Sequence, residues 1–176
     1  MSATATIPHR ILTELGNRVA AMSSIAGSPW DSVTLAERRQ GEREVYEHGV
    51  AEVAVAAAPT PVSATQLQVG FTQWTMDVAV SVVVNPPTAP VDPDHPTEVE
   101  TQSLQWVALH GINTILQAVT PSQHFLETGV ANAQLAEMVE LVGSAIERTP
   151  DESETAVQAV FRFTFQTRTD NLALTS

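Results

Sequence analysis

"TAVQAVFRFTFQTRT" (155–169) decides how the rest of the chain is read. Phe161, Phe163 and Phe165 stand at every second position. A strand turns alternate side chains to opposite faces, so the three rings share one face. Val160, Arg162, Thr164, Gln166 and Arg168 share the other. Burying three phenylalanines is worth about 5–9 kcal/mol before entropy costs. A strand this two-faced needs a covering layer on the aromatic side. Its polar side meets water or another subunit.

Just upstream, "TPDES" (149–153) is a turn by composition. Residues 133–147 before it fit two patterns. Leu135, Met138, Val139, Val142 and Ile146 suit a helix, whereas Met138, Val142 and Ile146 also suit one face of a strand. A strand–turn–strand hairpin is the preferred reading. "TEVE" (97–100) has the capping-box pattern and opens a helix that runs to about Val119, where Thr120–Pro121 stops it. Leu104, Val107, Ala108, Gly111, Ile112, Ile115 and Val119 form its apolar stripe. "NPPTAPVDPDHP" (85–96) holds five prolines and reads as a stiff loop.

Further upstream, "LQVGFTQW" (67–74) alternates with Leu67, Val69 and Phe71 on one face. Trp74, Met76, Val78, Val80, Val82 and Val84 follow in the opposite parity, which places a bulge or tight turn near Thr72–Gln73. "VAEVAVAAAP" (50–59) is a short strand, and "LAERRQGEREVYEHG" (35–49) a charged, exposed arm without a clear period. Residues 5–22 carry Ile7, Ile11, Leu12, Leu15, Val19 and Met22 at helical spacing. "SSIAGSPW" (23–30) breaks that helix. The expected fold is α+β: a single domain over 1–176, with a mixed, mainly antiparallel sheet and two main helices packed on one face. Residues 23–60 form a charged arm or extended insertion, 85–96 a proline-rich loop and 170–176 a tail.

The totals restrict function. With 176 residues and 43% hydrophobic content, one domain with a real core is expected. No apolar run approaches membrane-spanning length, and "MSATATIPHR" has no secretory pattern. Cysteine is missing, so a disulfide framework and thiolate chemistry are excluded. Twenty acidic residues oppose eight basic ones, all arginine, for a net charge of −12. That balance disfavours a free-standing DNA binder, which gains affinity through basic contacts to phosphate. It suits solubility, or a surface that DNA passes without sticking.

Residues with chemical potential do not assemble into a site. His9, His48, His95, His110 and His124 lack zinc-ligand spacing. His110 lies mid-helix and reads as structural. "DPDH" (92–95) offers two carboxylates, but a proline-rich acidic loop rarely binds metal. Nucleophile, phosphate-loop and dinucleotide motifs are missing, and without lysine there is no Schiff base. Glu37, Glu42, Glu44 and Glu47 sit in the arginine-laced arm and read as a salt-bridged face. Trp30, Trp74 and Trp106 stand apart, two of them on expected core faces. No catalytic residue, cofactor or metal is expected, and the chain is not expected to be an enzyme.

The order of elements resembles one family. An amphipathic helix, strands ending in "FTQWTMDVAVSVVV", a proline-bearing loop, the helix "TEVETQSLQWVALHGINTILQAV" and a hairpin ending in "AVFRFTFQTRTDN" resemble the tail terminator (tail completion, minor tail protein U-like) family of long-tailed bacteriophages. The resemblance implies a homohexameric ring on the last ring of the tail tube, head-proximal in the virion. Its partners would be other copies of itself, the major tail tube protein and a head–tail connector or stopper, with DNA passing through the lumen unbound. Candidate contact residues are Arg38, Arg39, Arg43 and Glu44 in the arm, Asp92 and Asp94 in the proline loop, and Arg162 and Arg168 on the polar strand face. Another head–tail or baseplate joining ring, or a small α+β ligand-binding domain, would share the same outline.

Overall fold

A computed structural model describes residues 5–30, 32–35, 50–57, 63–68, 70–84, 104–119, 124–130, 133–148, 155–168 and 170. The first helix, α1, spans Ile7–Ala20 and starts where the sequence permits it. Thr6 is extended at the N-cap, and a proline fills the first turn, where its missing N–H costs nothing. Ile7, Ile11, Leu15 and Val19 are all fully buried, and so is Met22 in the 3-10 turn Met22–Ser24 that ends the helix.

Among the described residues, eight strands and a second helix follow in chain order. They are β1 (Ser32–Leu35), β2 (Val50–Ala57), β3 (Ser63–Gln68), β4 (Phe71–Val84), α2 (Leu104–Val119), β5 (Phe125–Leu126), β6 (Gln134–Ala136), β7 (Met138–Arg148) and β8 (Thr155–Arg168). The main sheet runs β1-β2-β4-β8-β7, and β3 pairs with the part of β4 that β2 leaves free. Among the described strands only β1–β2 is parallel, so the sheet is mixed and mainly antiparallel, as expected. β5 and β6 form a separate small ribbon.

The longest ladder, β4–β8, pairs all fourteen positions from Phe71↔Arg168 to Val84↔Thr155. It places Met76, Val78, Val80 and Val82 beside Phe163, Phe161, Ala159 and Val157. All eight side chains are buried with those of α1 and α2, so both helices lie on this face. The Phe125 ring meets Phe163 edge-on, with centroids 5.0 Å apart.

Three local expectations need correction. The reversal before β4 falls at Gly70, not at Thr72–Gln73: Gly70 has φ 94°, a conformation that glycine adopts without steric cost. Leu67 and Phe71 therefore belong to two strands, β3 and β4, rather than to one face. Residues 138–148 are strand, which rules out the helical alternative, and a bulge between Leu141 and Gly143 flips the side-chain parity. Met138 consequently stands opposite Thr164 and Ile146 opposite Val157, on different faces of the sheet. The proline loop, the arm at 36–49 and the capping box at 97–100 lie outside the described residues.

Candidate assembly surface

Among the described residues no helix lies on the far side of the β4–β8 ladder. Gln73, Thr75, Asp77, Ala79 and Ser81 of β4 lie along it, half-buried, beside Gln158, Val160, Arg162 and Gln166 of β8. At its centre Arg162 faces Asp77 directly across the ladder. Arg162 Nε donates to Asp77 Oδ1 at 2.8 Å and Nη2 donates to Oδ2 at 2.9 Å. These hydrogen bonds hold the Asp77 carboxyl below the usual carboxylate range, against a smaller upward push from burial. The same bonds raise the Arg162 pKa, with a minor contribution from Glu140 on β7. Beside them, Gln158 Nε2 donates to Ser81 Oγ at 3.1 Å. The face is thus polar and lined mostly by uncharged side chains, with Arg162 set between Asp77 and Glu140 at its centre.

Arg168 stands on the same face of β8, six residues on and about 20 Å away along the strand. It is exposed, and its guanidinium donates to the Asp170 carboxylate at 3.2 and 3.3 Å. Both arginines therefore have acidic partners within their own subunit. Arg38, Arg39, Arg43, Glu44, Asp92 and Asp94 lie outside the described residues. Asp77 was not singled out from the sequence, because only the register places it opposite Arg162.

The β7 border is apolar. Val139 is buried, but Met138, Leu141, Val142 and Ile146 are exposed. Leu141 and Ile146 stand opposite the buried Phe161 and Val157, so they lie on the helix side of the sheet. They are exposed because the helical layer stops short of them. Alternation alone would have put these two, five residues apart, on opposite faces, and the bulge brings both to the helix side.

A polar clamp holds the opposite part of the helical layer. Glu14 on α1 is buried. It accepts from Arg18 Nε at 2.8 Å, Thr128 Oγ1 at 2.7 Å and the Thr128 N–H at 3.1 Å. Burial alone would push this carboxyl up, but the combined hydrogen bonds and the Arg18 charge hold it below the usual range. Arg18 also donates to the Leu126 carbonyl at 2.7 Å and to the Val119 carbonyl, the last of α2, at 3.4 Å. Its guanidinium lies 4.2 Å from the Phe125 ring centroid. Arg10 pairs with Glu127 nearby. Every charge here is tied to a fold contact, which makes the clamp a brace between α1, α2 and the β5–β6 ribbon.

Among the described residues no group of three or more His, Asp or Glu side chains is placed to hold a metal ion. No described helix is long and apolar enough to cross a membrane. Trp30 is buried, Trp74 packs half-buried against the core and donates to Thr167 Oγ1 at 2.9 Å, and the Trp106 side chain lies outside the description.

No family model and no curated protein matches the chain. Among solved structures, a chain from the virion of a native gene transfer agent particle is similar to it, with a TM-score of 0.50 and 12% sequence identity, covering 89% of this chain and 95% of that chain. At that identity the likeness is one of fold, and it spans nearly the whole of both chains.

Proposed function

We propose that the chain is a structural virion protein, a ring-forming subunit at the head-proximal end of a tail tube. The ring ends tube growth and joins the tail to the head connector. The observation that carries this reading is the fold shared, almost end to end, with a chain of a gene transfer agent virion. The resemblance in element order to tail terminators supplies the finer role. The polar sheet face, which no described helix covers, and the exposed apolar residues of β7 suit a subunit whose surfaces are used for assembly rather than catalysis. An acidic, lysine-free chain also suits a ring that DNA crosses, since few cations would hold its phosphates.

The test is to mix the protein with purified tail tubes and image them by electron microscopy. Rings at one tube end, together with arrested elongation, are the expected result. Protein that leaves tube ends bare and elongation unchanged would overturn the terminator role.

A further inference from the structure

Among the described residues the path of the main sheet ends on β1 at one side and β7 at the other, and the short β3, paired with β4 alone, lies off that path. Their directions follow from the pairings: β1 is parallel to β2, and three antiparallel steps then lead through β4 and β8 to β7. β1 and β7 therefore run in opposite senses. If a second copy is set beside the first with its helices on the same side, its β1 meets β7 antiparallel.

The side chains agree with that direction. Val33 packs on the core, so Leu35, two residues on, also lies on the helix side. Leu35, Leu141, Val142 and Ile146 are 40, 42, 49 and 39% exposed. An edge strand ordinarily carries lysine, proline or inward charge to prevent pairing with other chains. "SVTL" (32–35) has none of these, and β7 keeps its charges, Glu140, Glu147 and Arg148, outside "LVGSAI" (141–146), where the bulge between Leu141 and Gly143 is the one such device. In a chain of net charge −12, copies repel one another except where such charge-free segments meet.

We propose that copies of this chain join head to tail through their sheet edges, β7 of one pairing with β1 of the next. The helix-side residues Leu141 and Ile146, with the exposed bulge residue Val142 between them, would cover Leu35 of the neighbour. Such a contact is heterologous, so repeating it closes a ring or extends a filament. The inference deepens the ring reading and rests on it for closure.

Light scattering over a range of protein concentrations tests the contact, with two blocked variants. One carries Leu35→Glu, and the other carries Val142→Glu with Ile146→Glu. Circular dichroism and thermal melting confirm that each is folded, and Thr34→Glu replaces Leu35→Glu if that variant unfolds. The wild type is expected above the mass of one 18.9 kDa subunit. Each variant alone should have the mass of one subunit. Their equimolar mixture should reach two subunits and no more, because one intact β7 then meets one intact β1. A wild-type oligomer that both variants preserve would leave the ring standing and overturn the edge contact. A β1-blocked variant that dimerises alone, with nothing gained on mixing, would show a two-fold β7–β7 contact and overturn the head-to-tail arrangement. A wild type that stays monomeric throughout, alone and with tail tubes, would overturn both the contact and the ring.

Discussion

The Trp30 indole occupies the space that a side chain at position 111 would need. A Cβ built on Gly111 would lie 3.0 Å from two ring carbons of Trp30. Glycine in a helix interior costs about 0.5–1 kcal/mol relative to alanine, and here that cost lets α2 close on the indole. Gly111→Ala recovers the propensity but overpacks a buried contact, a change that typically costs about 1–3 kcal/mol. The expected result is a net loss of stability in denaturant unfolding, with lower near-ultraviolet tryptophan ellipticity. A gain in stability would mean that the indole moves aside freely.

Phe163 is fully buried and carries the edge-on contact with Phe125. Phe163→Ala should therefore cost about 3–5 kcal/mol. Urea unfolding reads this directly. A loss below about 1 kcal/mol would be incompatible with a closed core at that position.

Glu14 makes the clamp sensitive to acid. Its folded-state pKa is lowered, so its contribution is complete above the ordinary glutamate value of about 4.3 and fades as pH falls through the lower folded value. Glu14→Gln keeps the shape but removes the charge, and should cost about 1.5–3 kcal/mol at neutral pH. The variant should also lose part of the wild type's destabilisation in acid. Melting temperatures followed from pH 7 down to about 3 would show the two curves converging.

Asp77 and Arg162 sit on an open face, where water and salt screen them. Asp77→Asn should lower stability only slightly at low salt, and the difference should shrink as salt is added. A large, salt-independent loss would mean that the pair is covered in the assembled protein.

Reversing Arg38, Arg39 and Arg43 to glutamate tests the charged arm. The triple variant should keep the wild-type melting temperature and lose tube capping. Normal capping by the variant would remove the arm from the set of contacts.

Periodicity by itself determined a good deal of this protein. The four-residue spacing of Ile7, Ile11, Leu15 and Val19 specifies α1, and the alternation of Phe161, Phe163 and Phe165 specifies the inner face of β8, because each pattern matches the backbone repeat of one element. The α+β class and the two-layer arrangement follow, since each apolar face must be covered by the other. Four short strands escaped that reading. β1, β3, β5 and β6, of two to six residues, are too brief for alternation to register.

Contacts across the chain were decided only by tertiary structure. Asp77 and Arg162 are 85 residues apart, and pairing them requires the β4–β8 register. The bulge at Val142 reverses parity within β7. Ile146 fits the apolar stripe of either local pattern and Leu141 fits neither, yet both lie on the helix side and are exposed, because the described helices cover β4 and β8 and stop short of the β7 border. Burial depends on which elements share a layer, and local spacing carries no record of where that layer ends.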